Sequence, residues 1–267
     1  MAGERWHVEA REGARLCCLD HNGRGQAVVL LHGLAGYAGE WHETASWLSE
    51  TFRVVAVEQR GHGRSERAPA SVSPDAFVAD VELWIEQLDL APAVVVGQSF
   101  GGLIALLLAA RRPELVLALV VVEASPAADP RAAEAVRHWL ESWPVPFASR
   151  NDALAFFGGD TSWSRAWAGG LEERDDGLWP SFEKDVLLAA LSEASGRGWW
   201  DDWSRIRCPV LVVRGEHGAL RDETQRMIAA LPAARVVEVE GAGHDPHLEQ
   251  PVSWRETLEG FLGAVGR

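Results

Sequence analysis

Residues 97–101 read Gly97-Gln98-Ser99-Phe100-Gly101, directly after the apolar run Val94-Val95-Val96 and directly before a segment rich in Ala and Leu. A strand that turns at once into a helix holds its middle residue in a strained backbone conformation. Side chains beside it would clash, which accounts for glycine on both sides. Ser99 then projects its hydroxyl above the sheet edge, where a nucleophile has to be. Phe100 offers a backbone N–H at the helix N-terminus, where unpaired donors and the helix dipole favour negative charge. The chemistry implied is attack of an activated serine on a carbonyl, and that serine needs a base.

The elements that must hold this turn follow from the pattern of apolar runs. Residues 6–10 and 14–20 flank Arg11-Glu12-Gly13 and read as a hairpin. Residues 27–31, 53–57, 94–97 and 115–122 read as apolar strands, alternating with helical segments at 40–49, 74–88 and 100–111. Ser73 and Pro74 supply an N-cap and a first-turn proline for the second of these helices. Continuous apolar strands joined by helical crossovers predict a parallel sheet buried on both faces. After Ser125-Pro126 the rhythm changes, and residues 126–204 hold eight of the 13 tryptophans and no convincing apolar strand. Alternation resumes with strands at 210–213 and 235–239 and helices at 223–231 and 254–265.

Composition excludes several functions. The chain has 267 residues, 47% of them hydrophobic and 24% charged, as in an ordinary globule. Its 25 basic and 39 acidic residues leave a net charge of −14 with no basic cluster, which disfavours nucleic acid as a partner. Lys184 is the only lysine, so Schiff-base chemistry has one candidate. Cys17, Cys18 and Cys208 make no disulfide framework, and no His/Cys/Asp/Glu set has metal-ligand spacing. The polar start and the absence of a long apolar run predict a soluble, cytoplasmic protein without a membrane partner.

With the serine turn in this context, the chain resembles the α/β-hydrolase family over essentially its whole length. His32-Gly33-Leu34 is similar to the family's His-Gly element, and the resemblance assigns the Leu34 N–H to an oxyanion hole beside that of Phe100. Glu58-Gln59-Arg60-Gly61-His62-Gly63-Arg64-Ser65 is similar to the family's D-x-R-G-x-G-x-S segment, with Glu for the first Asp, and marks a turn. Gly241-Ala242-Gly243-His244, between the last strand and the final helix, places His244 as the base, with His247 its close rival. The other six histidines have no such context.

The third member departs from the common pattern. Many relatives carry an Asp where this chain has Gly218, after Gly215-Glu216-His217. Glu123, ending the strand at 115–122 on the carboxyl edge of the sheet, is the replacement expected, and some family members place the acid on this earlier strand. Asp222 is the alternative acid. Asp245 adjoins the base and reaches its ring poorly.

The resemblance therefore implies an α/β-hydrolase fold: a mostly parallel twisted sheet of about eight strands. Residues 1–125 and 205–267 form the core, and residues 126–204 a helical, Trp-rich lid. Trp41, Trp139, Trp143 and Trp163 are expected to line an apolar pocket, and Arg131, Arg137, Arg150 and Arg165 are ordinary solvated charges. The activity implied is hydrolysis of carboxylic esters or lactones of small apolar or aryl substrates through Ser99, His244 and Glu123, without cofactor or metal. The same site also suits C–C, amide or acyl-transfer and perhydrolase chemistry, and the fold also suits a non-catalytic ligand-binding protein.

Overall fold

In a computed structural model the described residues are 3–10, 12–128, 130–220 and 223–265; the side chains of Pro130 and Ala132 lie outside the description. These described residues form ten strands: β1 (Glu4–Glu9), β2 (Arg15–Asp20), β3 (Ala27–Leu31), β4 (Arg53–Glu58), β5 (Ala93–Gln98), β6 (Val116–Val122), β7 (Leu171–Arg174), β8 (Gly177–Pro180), β9 (Val210–Gly215) and β10 (Arg235–Val239). A short 3-10 turn, Ala38–Trp41, leads into α1 (His42–Leu48). There follow α2 (Pro74–Gln87), α3 (Phe100–Arg111), α4 (Pro130–Glu141), α5 (Arg150–Phe156), α6 (Ser162–Gly169), α7 (Lys184–Ser195), α8 (Trp200–Arg205), α9 (Glu223–Ala230), α10 (Pro246–Glu249) and α11 (Pro251–Val265).

Eight strands make one sheet in the order β1-β2-β4-β3-β5-β6-β9-β10. The pairs β1–β2 and β2–β4 are antiparallel and all the others parallel. The central strands β3 and β5 are buried along their whole lengths, so each face of the sheet needs an apolar cover. On one face α2, α3, α8 and α9 pack Trp84, Ile104, Leu107, Trp203 and Met227 against it; on the other α1 and α11 bring Leu48, Trp254, Leu258 and Phe261. At the start of α2 the Ser73 hydroxyl accepts the Ala76 N–H at 3.3 Å, as the Ser-Pro pair predicts.

Between β6 and β9 the chain forms α4 to α8 and one hairpin, β7–β8, which the sequence pattern does not announce. Each of its strands has four residues, too few for the alternation of faces to show, and Asp175-Asp176 supplies the turn. Trp139, Trp163, Trp167 and the phenylalanines of this region build their own cluster around Trp143, Phe147 and Phe157. Trp199 and Trp203 belong instead to the layer on α3, and the Trp203 indole N–H donates to the Met227 carbonyl at 2.9 Å.

Candidate active site

The turn between β5 and α3 is as tight as its glycines suggest. Ser99 has φ 50° and ψ −118°. A Cβ on Gly97 would lie 2.2 Å from the Gly101 carbonyl oxygen, and one on Gly101 would lie 2.4 Å from that of His32. Neither position admits another residue, because backbone atoms cannot yield as a side-chain end can. The Ser99 N–H donates to the Val122 carbonyl at 2.8 Å, tying the turn to the end of β6.

Glu123 follows that strand end, with φ 49°. Its side chain is fully buried, and three N–H groups converge on its two oxygens. Oε1 accepts the Gly215 N–H at 2.8 Å, Oε2 accepts the Ala219 N–H at 2.9 Å, and His244 Nδ1 stands 3.4 Å from Oε2. A Cβ on Gly218 would fall 2.1 Å from Oε1. The Glu123 carboxylate thus occupies the space that a side chain at residue 218 would need. Asp222, the alternative acid, lies outside the described residues.

His244 sits on the loop from β10 to α10, with its side chain about 50% exposed. Glu249 clamps both flanks of the loop, its oxygens accepting the N–H groups of Gly243 at 2.7 Å and Asp245 at 2.8 Å. Gln98, the second residue of the serine turn, donates to the His244 carbonyl at 2.9 Å and to Asp245 Oδ1 at 2.8 Å. Desolvation works to lower the imidazole pKa. The hydrogen bond to Glu123 and the charges of Asp245, Glu123 and Glu249 outweigh it, and the group is held above the ordinary histidine value.

His247, the rival base, is buried and stacked on Trp41 at 4.2 Å between ring centroids, with Nε2 3.5 Å from Glu40 Oε1. It does not line the cavity that Ser99 lines. The Asp245 carboxylate has other partners: its Oδ2 accepts the indole N–H of Trp163 at 2.6 Å and that of Trp167 at 3.4 Å.

Ser99 and His244 share one cavity of about 320 Å³, a volume suited to a small-molecule ligand. Gly33 and Leu34 form part of its floor, and Trp139 of α4 with Trp163 and Trp167 of α6 form the facing wall. Two expected wall residues are elsewhere. Trp41 is wholly buried behind the site, between His247 and Trp254, because the apolar layer on α11 needs a large ring there. Trp143 is 7% exposed and fills the aromatic cluster between β6 and β9, in edge contact with Trp139, Phe157 and Phe182. Trp167, Gln98, Glu40 and Asp245 line the cavity without having been singled out as wall residues. The four-residue spacing of Trp163 and Trp167 on one helix face was the available signal for Trp167. None of Arg131, Arg137, Arg150 and Arg165 lines the cavity.

The turn after β4 is scaffold for the residue 33–38 loop. His62 Nε2 accepts the Ala35 N–H at 3.2 Å, His32 Nε2 accepts the Gln59 N–H at 3.1 Å, and Glu58 Oε1 accepts the Ala38 N–H at 3.0 Å. Burial pulls His62 down to about 4 and His32 well below its ordinary value, so both are neutral acceptors near neutral pH. Arg60, fully buried, makes a two-pronged pair with Asp80 at 2.6 and 2.7 Å and a further contact with Glu12.

A mostly parallel sheet with a strained serine, a histidine and a buried carboxylate at its carboxyl edge defines an α/β hydrolase scaffold. The family model for the alpha/beta hydrolase fold matches residues 26–251, and the chain belongs to that family. It is 30% identical over 263 residues to a 3-hydroxybutyrate-oligomer hydrolase from Cupriavidus necator, covering 90% of this chain and 89% of that one. It is 26% identical over 258 residues to a 2-(acetamidomethylene)succinate hydrolase from Mesorhizobium japonicum, covering 91% and 90%. The crystal structure of an E-2-(acetamidomethylene)succinate hydrolase superposes with a TM-score of 0.89 at 23% identity, over 97% of this chain and 100% of that one. Among the described residues no group of three or more His, Cys, Asp or Glu is placed to hold a metal ion, and no helix is long and apolar enough to cross a membrane.

Proposed function

We propose that this hydrolase cleaves carboxylic ester or lactone bonds of small molecules through a Ser99–His244–Glu123 triad. The observation that carries the reading is the Glu123 carboxylate, which fills the space above Gly218 and meets His244 Nδ1 at 3.4 Å. That contact fixes the tautomer with Nδ1 protonated and leaves Nε2 to take the proton of Ser99. Ser99 attacks the carbonyl, the tetrahedral oxyanion lies between the N–H groups of Leu34 and Phe100, and the leaving alkoxide takes the proton from His244. Water activated by the same imidazole then releases the acid. Each backbone donor to the oxyanion contributes about 3 kcal/mol at the transition state. The segment from β6 to β9 acts as a lid, its Trp139, Trp163 and Trp167 receiving the apolar part of the substrate. No step needs a cofactor.

The two relatives are named as hydrolases of chemically different compounds, so the bond is decided by turnover and not by them. A panel of p-nitrophenyl esters, lactones and aryl amides tests the assignment, with Ser99→Ala as control. Turnover of esters or lactones well above amides, abolished in the control, is the expected result. Amide turnover at least equal to ester turnover would assign the site to amide hydrolysis instead.

A further inference from the structure

We propose that the cavity above Ser99 selects esters whose alcohol carries an ammonium group, and that Glu40 holds the cation. This rests on the serine-hydrolase reading of the cavity and adds the charge of its substrate. The described lining contains two carboxylates, Glu40 and Asp245, and neither arginine nor lysine. Asp245 is satisfied, with both oxygens accepting N–H donors from Gln98, Trp163 and Trp167.

Glu40 is held more loosely. Its side chain is 7% exposed, and among the described residues its carboxylate has one long hydrogen bond, from the Tyr37 N–H to Oε2 at 3.3 Å, and the contact with His247. Oε1 stands 3.5 Å from His247 Nε2, and neither nitrogen of that buried ring finds a hydrogen-bond partner. Gly36 makes room for the group: a Cβ there would lie 2.4 Å from Glu40 Oε2. A buried carboxylate so poorly compensated gains from any donor that brings positive charge. Burial raises its pKa, partly offset by His247, and a bound cation acts against that rise. Trp139, Trp163 and Trp167 line the same cavity, and aromatic quadrupoles favour a weakly hydrated ammonium over an isosteric alkyl group. A net charge of −14 favours approach of cations and repels anions.

Three butyrate esters of similar size test this: choline butyrate, the isosteric neutral 3,3-dimethylbutyl butyrate, and 3-carboxypropyl butyrate. The expected order of kcat/KM is ammonium above neutral by about tenfold or more, with the carboxylate ester slowest. In Glu40→Gln the ammonium-to-neutral ratio falls by about tenfold. A ratio of one or less in the wild type, or an unchanged ratio in a folded Glu40→Gln, overturns the proposal. Should that variant fail to fold, choline and 3,3-dimethylbutanol are compared as competitive inhibitors of the wild type, and choline must bind tighter. If no ester is turned over, the hydrolase reading fails while the cation site is still decided: choline must quench tryptophan fluorescence saturably at concentrations where dimethylbutanol does not.

Discussion

Replacing Glu123 by Gln changes little in volume and much in charge. In the wild type three N–H groups, from Gly215, Ala219 and His244, meet two carboxylate oxygens that both accept. Glutamine has one accepting oxygen and an NH2 group that donates. If the NH2 faces His244, Nδ1 must lose its proton, and the ring presents the wrong tautomer to Ser99. If it faces Gly215, two donors are buried against each other, and the imidazolium formed during attack has lost its counter-charge. Removing one partner of a buried charged contact costs about 3–5 kcal/mol. The half-exposed His244 ring puts the effect at the lower end for stability, but at the transition state the charge is fully developed. A loss of about 4 kcal/mol there corresponds to roughly a thousandfold in kcat. The assay is plateau kcat for a p-nitrophenyl ester, alongside a melting curve to show that Glu123→Gln is folded. A folded variant within about fivefold of wild type would refute the role of Glu123 and return attention to Asp222.

Further outcomes follow from the same geometry. Gly218→Asp alone is expected to lower the melting temperature and activity, since its side chain meets Glu123; Glu123→Gly with Gly218→Asp, in which glycine suits φ 49°, should recover more than tenfold of the activity lost in Glu123→Gly. The raised pKa of His244 places the acid limb of kcat/KM above the ordinary histidine value of about 6.5, and Glu123→Gln should move that limb down. By linkage the same group stabilises the fold fully below its unfolded pKa of about 6.5, a contribution lost as pH rises through the higher folded value, so His244→Gln should cost stability at pH 5 and little at pH 9. Asp80→Asn leaves the buried Arg60 guanidinium with Glu12 as its one carboxylate among the described residues and should destabilise by about 3 kcal/mol, read from denaturant midpoints. Trp163→Phe removes the indole donor to Asp245 and should raise KM severalfold with a smaller change in kcat, measured on the preferred ester.

The parts of the site that sequence reasoning reached are those fixed by local sterics. Gly97 and Gly101 flank Ser99 because backbone atoms occupy the space of a side chain, and that constraint is visible in five residues. Glu123 was named because Gly218 leaves the common acid position without a carboxylate, and the structure brings its Oε2 to 3.4 Å from His244 Nδ1. The sheet was legible because β3, β4, β5, β6 and β9 are apolar runs bounded by turns, while β7 and β8 are too short to show a period. Tryptophan placement was not legible. Trp41 and Trp143 satisfy the same aromatic preference as Trp139 and Trp163, and only the packing around them decides which rings meet core and which meet the cavity. Glu40 carried no signal, since its 3-10 turn is packed against β4 and α6, elements distant in sequence.

The account stands on Ser99 being an activated nucleophile, and a fluorophosphonate followed by intact-protein mass spectrometry measures that directly. One equivalent of label, located on Ser99 and lost in His244→Ala, is the predicted result. A folded wild-type protein that takes up no label, or takes it up on another residue, would contradict it.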